Sequence, residues 1–143
     1  MLHLTKPENF TPKFEIVSIF LEYQNEIVLL HRQDHKPEPN THGVPAGKVH
    51  HGESKEQAMI RELREETGIQ LEENELQYFR EVYVQYPTYE FTYHMFHKKF
   101  DILPDITINP EEHKSFQRRT PEEALQENLI QDEDTCIKMF YQL

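Results

Sequence analysis

The order of apolar and polar positions along the chain predicts two pairs of strands. Residues 14–23 and 26–33 are rich in β-branched and aromatic residues, and the short Gln-Asn turn between them predicts a hairpin. Residues 75–86 and 90–100 form a second pair of strand candidates, joined by a short turn that contains Pro-Thr. The two pairs supply the strands of a predicted sheet.

Three other segments carry helix signals. The first begins at a capping box formed by Ser54 and Gln57, and Gly68 stands where a left-handed glycine would end it. Residues 120–129 begin with a threonine cap followed by a proline at the first helical position. Residues 132–142 are predicted to form the final helix. Apolar side chains at helical spacing follow the first of these starts, which indicates a helix that packs on one side.

The remaining segments are predicted to be loops. Residues 35–47 contain three prolines and two glycines, and residues 101–114 are a second loop region. Residues 1–12 are expected to form a loose lead-in. We find no internal repeat and no linker, so residues 1–143 are predicted to form a single domain. Strands interleaved with a few helices predict a mixed sheet covered by helices.

The net charge and the composition of the chain exclude several classes of binding partner. A net charge of -11 argues against broad binding to a nucleic-acid backbone, which requires a basic surface. It does not exclude a small phosphorylated ligand held through a metal ion. The single cysteine, Cys136, excludes an internal disulfide, and no apolar run is long enough to span a membrane. We therefore expect a cytoplasmic protein with no membrane or nucleic-acid partner.

The first predicted helix carries three acids whose spacing would by itself lower the stability of the helix. Glu62, Glu65 and Glu66 lie at positions i, i+3 and i+4, so their carboxylates share one side and repel one another. A hard divalent cation, Mg²⁺ or Mn²⁺, would offset this repulsion and could bind phosphate oxygens. Arg61 can pair with Glu65, and Glu53 lies near the start of the helix. The alternative is a solvated helix with ordinary Glu-Arg pairs.

The surroundings of these acids resemble the Nudix box, the signature of the Nudix hydrolase family. The box requires fixed residue types at nine positions, and this chain has a matching residue at each of them: Gly47, Glu53, Arg61, Glu62, Leu63, Glu65, Glu66, Gly68 and Ile69. The resemblance also covers the strand before the box and the later EEHKSFQRRTPEEAL segment. It implies an α+β fold, the Nudix fold, in which a mixed β-sheet is sandwiched between helices (α/β/α).

The resemblance also implies a metal site that uses Mg²⁺ or Mn²⁺. Glu65, Glu66 and the backbone carbonyl of Gly47 would be ligands, and Glu62 would be a ligand or the general base. The family often adds an acidic group from a later loop, and Glu112 is the best positional match. The general base is left open among Glu62, Glu65 and Glu112. Such an arrangement would neutralise phosphate charge and lower the pKa of an attacking water.

Further residues receive supporting roles from the same resemblance. Arg61 would orient the carboxylates together with Glu53, and Glu111 is the fallback for the loop acid. At the end of a predicted strand, Arg32 could contact a phosphate, although a surface role fits it equally well. Tyr86, in the aromatic second hairpin, could bind substrate by stacking on a base, whereas core packing is the default role of such residues.

The activity implied by the family is metal-dependent hydrolysis of a pyrophosphate linkage. The substrate would be a small nucleotide in which a nucleoside diphosphate is linked to another group: a nucleoside triphosphate, a dinucleoside polyphosphate or a nucleotide sugar. The alternative is a non-catalytic Nudix-fold module that binds a nucleotide as a sensor or regulator. Loss of a box acid would favour that alternative, and none is lost. Assembly as a homodimer is left open.

Overall fold

The computed structural model describes residues 1–143, which form eight strands, three α-helices and one short 3₁₀ turn at Glu73–Glu75. The strands are β1 (Leu2–His3), β2 (Phe14–Tyr23), β3 (Glu26–Arg32), β4 (His42–Gly43), β5 (Ala46–Lys48), β6 (Gln77–Gln85), β7 (Glu90–Lys99) and β8 (His113–Arg119). The helices are α1 (Lys55–Thr67), α2 (Pro121–Ala124) and α3 (Glu133–Tyr141). None of the helices is both long enough and apolar enough to cross a lipid bilayer.

The strands form one mixed sheet. Its main order is β1-β6-β7-β2-β3-β4, with β5 paired to β2 and β8 paired to β3. Strands β2 and β7 run parallel along their length, whereas β6 with β7 and β3 with β8 are antiparallel. Between β2 and β7 the chain forms β3, β4 and β5 of the same sheet, then passes through α1 and re-enters the sheet at β6.

Alternating side chains give the sheet two apolar faces. One face packs on α1, in a core of eleven buried residues that includes Val17, Leu30 and Leu63. The opposite face packs on α2 and α3, in a core of nine buried residues that includes Phe20 and Ile137. Helices therefore cover both faces, which confirms the expected α+β fold with α/β/α layers.

Local signals place the β2–β3 hairpin and helix α1 where the sequence predicts them. Gln24 and Asn25 both have positive φ, 48° and 66°, as a two-residue hairpin turn requires. Ser54 and Gln57 form the predicted capping box, which satisfies amide groups that helix formation leaves free. Gly68 ends α1 with φ 75°, and its amide donates to the Arg64 carbonyl. The start and the end of α1 are therefore fixed by local chemistry.

Two expectations about the C-terminal third are wrong. Helix α2 spans only Pro121–Ala124, not 120–129, because the following segment pairs with strand β4. The His42 amide donates to the Asn128 carbonyl at 2.8 Å, and the Ile130 amide donates to the His42 carbonyl at 2.9 Å. The predicted 101–114 loop also ends early, because β8 begins at His113 and pairs with β3. Its sequence, HKSFQRR, is largely polar and lacks the alternation that marks a strand.

The first residues, expected to form a loose lead-in, contact the sheet in several places. Leu2 and His3 pair with β6, and Phe10 packs edge-on against Tyr83. The Thr11 amide donates to the Glu90 carboxylate at 2.7 Å. Sequence reasoning misses this arrangement because the stabilising groups belong to residues about eighty positions away.

We expect Leu63→Ala to lower the free energy of unfolding by about 2–5 kcal/mol, because it leaves a cavity where α1 meets the sheet. The Leu63 side chain is 0 % exposed. Urea unfolding followed by circular dichroism measures the effect. Ile102→Ala, at a residue that is 82 % exposed, is the control, and its change should stay within about 0.5 kcal/mol. Equal effects of the two substitutions would contradict this account of the core.

Candidate active site

The guanidinium of Arg61 connects helix α1 to the loop that precedes it. It donates two hydrogen bonds to Glu53, at 2.7 and 3.0 Å, and one to the Lys48 carbonyl at 2.9 Å. It also donates to Glu62 at 2.8 Å and to Glu65 at 3.3 Å. The bonds from Arg61 lower the pKa of Glu53 to about 2, so this carboxylate stays charged at neutral pH. Four of the predicted site residues therefore form one charged network.

Glu62 lies directly against the backbone of Gly47. A Cβ atom placed on Gly47 would overlap the carboxyl group of Glu62. Only glycine permits this close approach, which explains why the sequence has no side chain at this position. Burial is the largest influence on Glu62 and raises the pKa of its carboxyl, and the charges of Glu65 and Glu112 act in the same direction.

Glu66 lies deeper than the other acids of the helix. It is buried, and its Oε1 accepts a hydrogen bond from the Ala46 amide at 2.9 Å. Burial raises the pKa of Glu66 well above its usual range, and the charges of Glu62 and Glu112 raise it further. Two neighbouring carboxyls with raised pKa values mark a place where a bound cation would relieve both the burial and the repulsion.

The loop before β8 brings two further groups to Glu66. The ligand atoms of Glu66, Glu112 and His113 all lie within 4.8 Å of one another. His113 is buried, its Nδ1 has no hydrogen-bond partner, and burial together with the charge of Arg32 lowers its pKa to about 4. The imidazole is therefore neutral near pH 7. The carboxylate oxygens are suitable donors for Mg²⁺ or Mn²⁺, whereas the neutral imidazole nitrogen suits a transition metal ion better than Mg²⁺.

Glu65 lies on the outer side of this group. Its side chain is 50 % exposed, and it pairs with Arg61. Helix α1 therefore presents its three box acids at three depths, with Glu66 innermost and Glu65 nearest to solvent. Glu111, the fallback for the loop acid, is exposed, and its carbonyl accepts a contact from His35 at 3.0 Å.

A cleft of about 630 Å³ lies beside this group, and Glu66 and His113 are among the residues that line it. Its charged end is lined by Gly47, Glu66 and Arg32, whose Nε donates to the Pro37 carbonyl at 2.7 Å. Its other end is aromatic and apolar, and the residues that line it include Phe14, Tyr86, Tyr89, Phe91 and Tyr93. The volume falls in the range of small-molecule sites, and the cleft has a charged end and an aromatic end that a single ligand could occupy together.

Glu133 lies in the wall of the aromatic end. It is 3 % exposed, its Oε1 accepts the Val44 amide at 2.9 Å, and its Oε2 has no hydrogen-bond partner. Burial raises the pKa of this carboxyl to about 7. A buried carboxyl with one free oxygen can donate a hydrogen bond to a ligand when it is neutral and accept one when it is ionised.

Sequence reasoning missed two residues of this region. His113 lies next to the predicted Glu112, but a single histidine in a loop has no spacing that predicts a ligand. Glu133 stands in the acidic run DED, where acids at a helix start have an ordinary explanation in the helix dipole. Both residues can be identified as part of the site only from their positions in the folded structure.

Comparison with known proteins identifies the family. The NUDIX domain model matches residues 12–140, and the chain therefore belongs to the Nudix family. A curated relative, the CTP pyrophosphohydrolase of Escherichia coli (strain K12), is 30 % identical over 131 residues, which cover 90 % of this chain and 92 % of the relative.

Solved structures agree with this assignment. The solution structure of the E. coli ORF135 protein superposes with a TM-score of 0.75 at 27 % identity, over 91 % of this chain and 89 % of that one. The crystal structure of the MutT protein from Methanosarcina mazei Go1 has a TM-score of 0.78 at 21 % identity, over 92 % of this chain and 95 % of that one. The chain therefore has the Nudix fold along nearly its whole length.

We expect Glu133→Gln to change how stability depends on pH. Because the folded-state pKa of this acid is raised to about 7, the folded protein binds more protons than the unfolded chain between about pH 4.5 and 7. The contribution of Glu133 to stability is therefore lost as pH rises through this window. The variant should gain stability relative to the wild type between pH 5 and 8, by an amount on the order of 3 kcal/mol. Urea unfolding at both pH values measures it, and parallel pH profiles would refute the burial argument.

Proposed function

We propose that this protein is a metal-dependent pyrophosphohydrolase that cleaves the phosphoanhydride linkage of a small nucleotide. The observation that carries the proposal is the group of carboxyls of Glu62, Glu66 and Glu112, whose charges oppose one another beside a cleft of nucleotide size that Glu66 lines. Such a group is costly without a cation. With Mg²⁺ or Mn²⁺ bound, it gains a positive centre that neutralises phosphate charge and lowers the pKa of a bound water.

In this proposal some of the acids bind the metal ion and one of them acts as the general base. The ligands would be Glu62, Glu65, Glu66 and the Gly47 carbonyl, with His113 as an additional nitrogen donor. A carboxylate that takes a proton from the attacking water must lie within hydrogen-bond reach of it and must be ionised. Glu62, Glu65 and Glu112 are the candidates for that base.

The network around Arg61 would keep these acids in place. One hydrogen bond to Glu62 and one to Glu65 favour a single orientation of each side chain, and the charge of Arg61 favours the ionised form of Glu62. Glu53 would hold the other side of the guanidinium. Arg61 and Glu53 would thus contribute through geometry and electrostatics, in agreement with their predicted role.

The cleft would bind the remainder of the nucleotide. Arg32, which lines the charged end, would contact a phosphate, and Tyr86 would form part of the aromatic wall for the base. Because a relative at 30 % identity is named a CTP pyrophosphohydrolase, CTP is the first substrate to test. The other classes to test are dinucleoside polyphosphates and nucleotide sugars.

We expect the wild type to hydrolyse at least one nucleotide of this panel in the presence of Mg²⁺ or Mn²⁺. Glu65→Gln should lower kcat/KM by about 10²-fold or more, the usual effect of removing one base or one charge-stabilising group. The matched control is Glu56→Gln, a loss of one charge on the same helix but outside the box, which should retain activity. Released phosphate products, separated by ion-exchange chromatography, measure turnover and show which bond is cut.

Two results would contradict the assignment. Equal activity of Glu65→Gln and wild type would remove Glu65 from the catalytic group. Tight nucleotide binding without turnover of any member of the panel would favour the alternative, a nucleotide-binding sensor.

We expect Gly47→Ala to weaken Mn²⁺ binding by about 10- to 100-fold while leaving the fold intact. The new methyl group would displace the carboxyl of Glu62, which can move because it is the far end of a flexible side chain. Titration calorimetry with Mn²⁺ and thermal unfolding measure the two effects separately. Ala46→Gly is the neighbouring control, since it adds no atom and keeps the amide that Glu66 accepts. Unchanged Mn²⁺ affinity in Gly47→Ala would exclude Glu62 as a ligand in its present position.

A further inference from the structure

Two hydrogen bonds connect separate chain segments at the rim of the cleft. The Tyr86 hydroxyl donates to the Asp132 carboxylate at 2.9 Å, and the Gln131 amide donates to the Glu38 carboxylate at 2.9 Å. All four residues line the cleft. We call this pair of bonds the rim clasp. It joins the loop after β3, the turn between β6 and β7, and the start of α3.

The backbone at the clasp carries strain. Asp132 has φ 69° and Glu38 has φ 51°, in the left-handed region that non-glycine residues rarely adopt. This conformation is unfavourable for a residue that has a Cβ atom, and it persists where the surrounding structure imposes it. Both strained acids line the same cleft, and each directs its carboxylate to a neighbouring segment.

Asp132 departs from the usual behaviour of an acid at a helix start. It occupies the N-cap position of α3, where an aspartate normally accepts an amide of the first turn. Its side chain makes no such bond and accepts the Tyr86 hydroxyl instead. The helix thus loses a local stabilising contact, and a cleft residue gains one.

This bond determines what Tyr86 can offer to a ligand. Burial raises the pKa of the Tyr86 hydroxyl, and the bond to Asp132 raises it further, so the hydroxyl remains a proton donor whose partner is Asp132. The ring is packed edge-on against Tyr89 and Phe91. The group left to face the cleft is therefore the aromatic ring, which suits a flat aromatic ligand rather than a hydrogen-bonding one.

We propose that Asp132 is a positioning residue that holds the Tyr86 ring as a preformed wall for the base of the substrate. This role rests on the proposed function, and it assigns the selectivity of that function for an aromatic base to the rim clasp. Holding the ring before binding removes the entropy cost of ordering it when the ligand arrives. The effect falls on substrate recognition, because the clasp makes no contact with the acids of α1.

The test compares a substrate with a base and one without. CTP and methyl triphosphate carry the same chain of phosphates, but only CTP has a base and a sugar. The measured quantity is the ratio of kcat/KM for CTP to that for methyl triphosphate, in the presence of Mg²⁺. The equilibrium affinity for CTP, measured by calorimetry with Ca²⁺ in place of Mg²⁺, provides a second readout that does not require turnover.

Three variants separate the effects of the Tyr86 ring, the Tyr86–Asp132 hydrogen bond and the positive φ of Asp132. Tyr86→Phe keeps the ring and removes the hydroxyl. Asp132→Gly removes the acceptor and relieves the positive φ, whereas Asp132→Asn keeps an acceptor and a residue that tolerates this φ. The control is Tyr141→Phe, which removes a tyrosine–carboxylate bond of 2.8 Å, to Glu22, outside the cleft.

We expect Tyr86→Phe and Asp132→Gly each to lower the CTP-to-methyl-triphosphate ratio by about 5- to 20-fold, which is near the size expected from loss of one hydrogen bond. The change should appear in KM for CTP rather than in kcat. The double variant should be no worse than either single variant, because both remove the same bond. Asp132→Asn should retain most of the wild-type ratio, and Tyr141→Phe should change only thermal stability.

Three outcomes would overturn the inference. The ratio and the CTP affinity could be unchanged in Tyr86→Phe and Asp132→Gly, their effects could add in the double variant, or Tyr141→Phe could lower the ratio equally. A wild type that hydrolyses neither these compounds nor any other member of the nucleotide panel would refute the proposed function instead. The calorimetric comparison of CTP affinity would then still decide whether the clasp supports binding.

Discussion

The site depends on one guanidinium. Arg61 binds Glu53 and the Lys48 carbonyl on the loop side and Glu62 and Glu65 on the helix side, and so fixes the distance between α1 and the chain that enters it. The planar group offers donors in several directions, which a lysine in its place could not. Without it, Glu53 and the Lys48 carbonyl would lose these hydrogen bonds to the helix, and Glu62 and Glu65 would lose their positive partner.

The rest of the molecule holds further acids against this network. Strand β5 places the Gly47 backbone on the carboxyl of Glu62, and the Ala46 amide holds Glu66 in a buried position. The chain before β8 adds Glu112 and His113 from the other side. The two cores of the sheet hold these segments in place, and burial together with the neighbouring charges raises the pKa values of Glu62 and Glu66. Such an arrangement is typical of a site shaped for a ligand rather than for stability.

The cleft combines two chemical environments within one Nudix fold. Its charged end includes box residues, and its aromatic end is built from the second hairpin and from α3. The box residues belong to the pattern that defines the family. The aromatic end, with the rim clasp and the free oxygen of Glu133, is formed by residues of this chain that lie outside the box. Differences in substrate between members of one fold are expected in such surrounding segments.

Short-range spacing along the chain was enough to predict helix α1 and the acids it carries. The 3.6-residue period put Glu62, Glu65 and Glu66 on one side of α1, the capping box and Gly68 set its bounds, and the box pattern identified the family. Tertiary structure determined what depends on residues far apart in the chain. Strand β8 forms because β3 offers it backbone partners, and α2 ends because the residues after it pair with β4. Burial lowers the pKa of His113 and raises the pKa of Glu133, and only the fold produces that burial. No local pattern encodes these contacts, because burial and strand pairing are properties of the packed molecule.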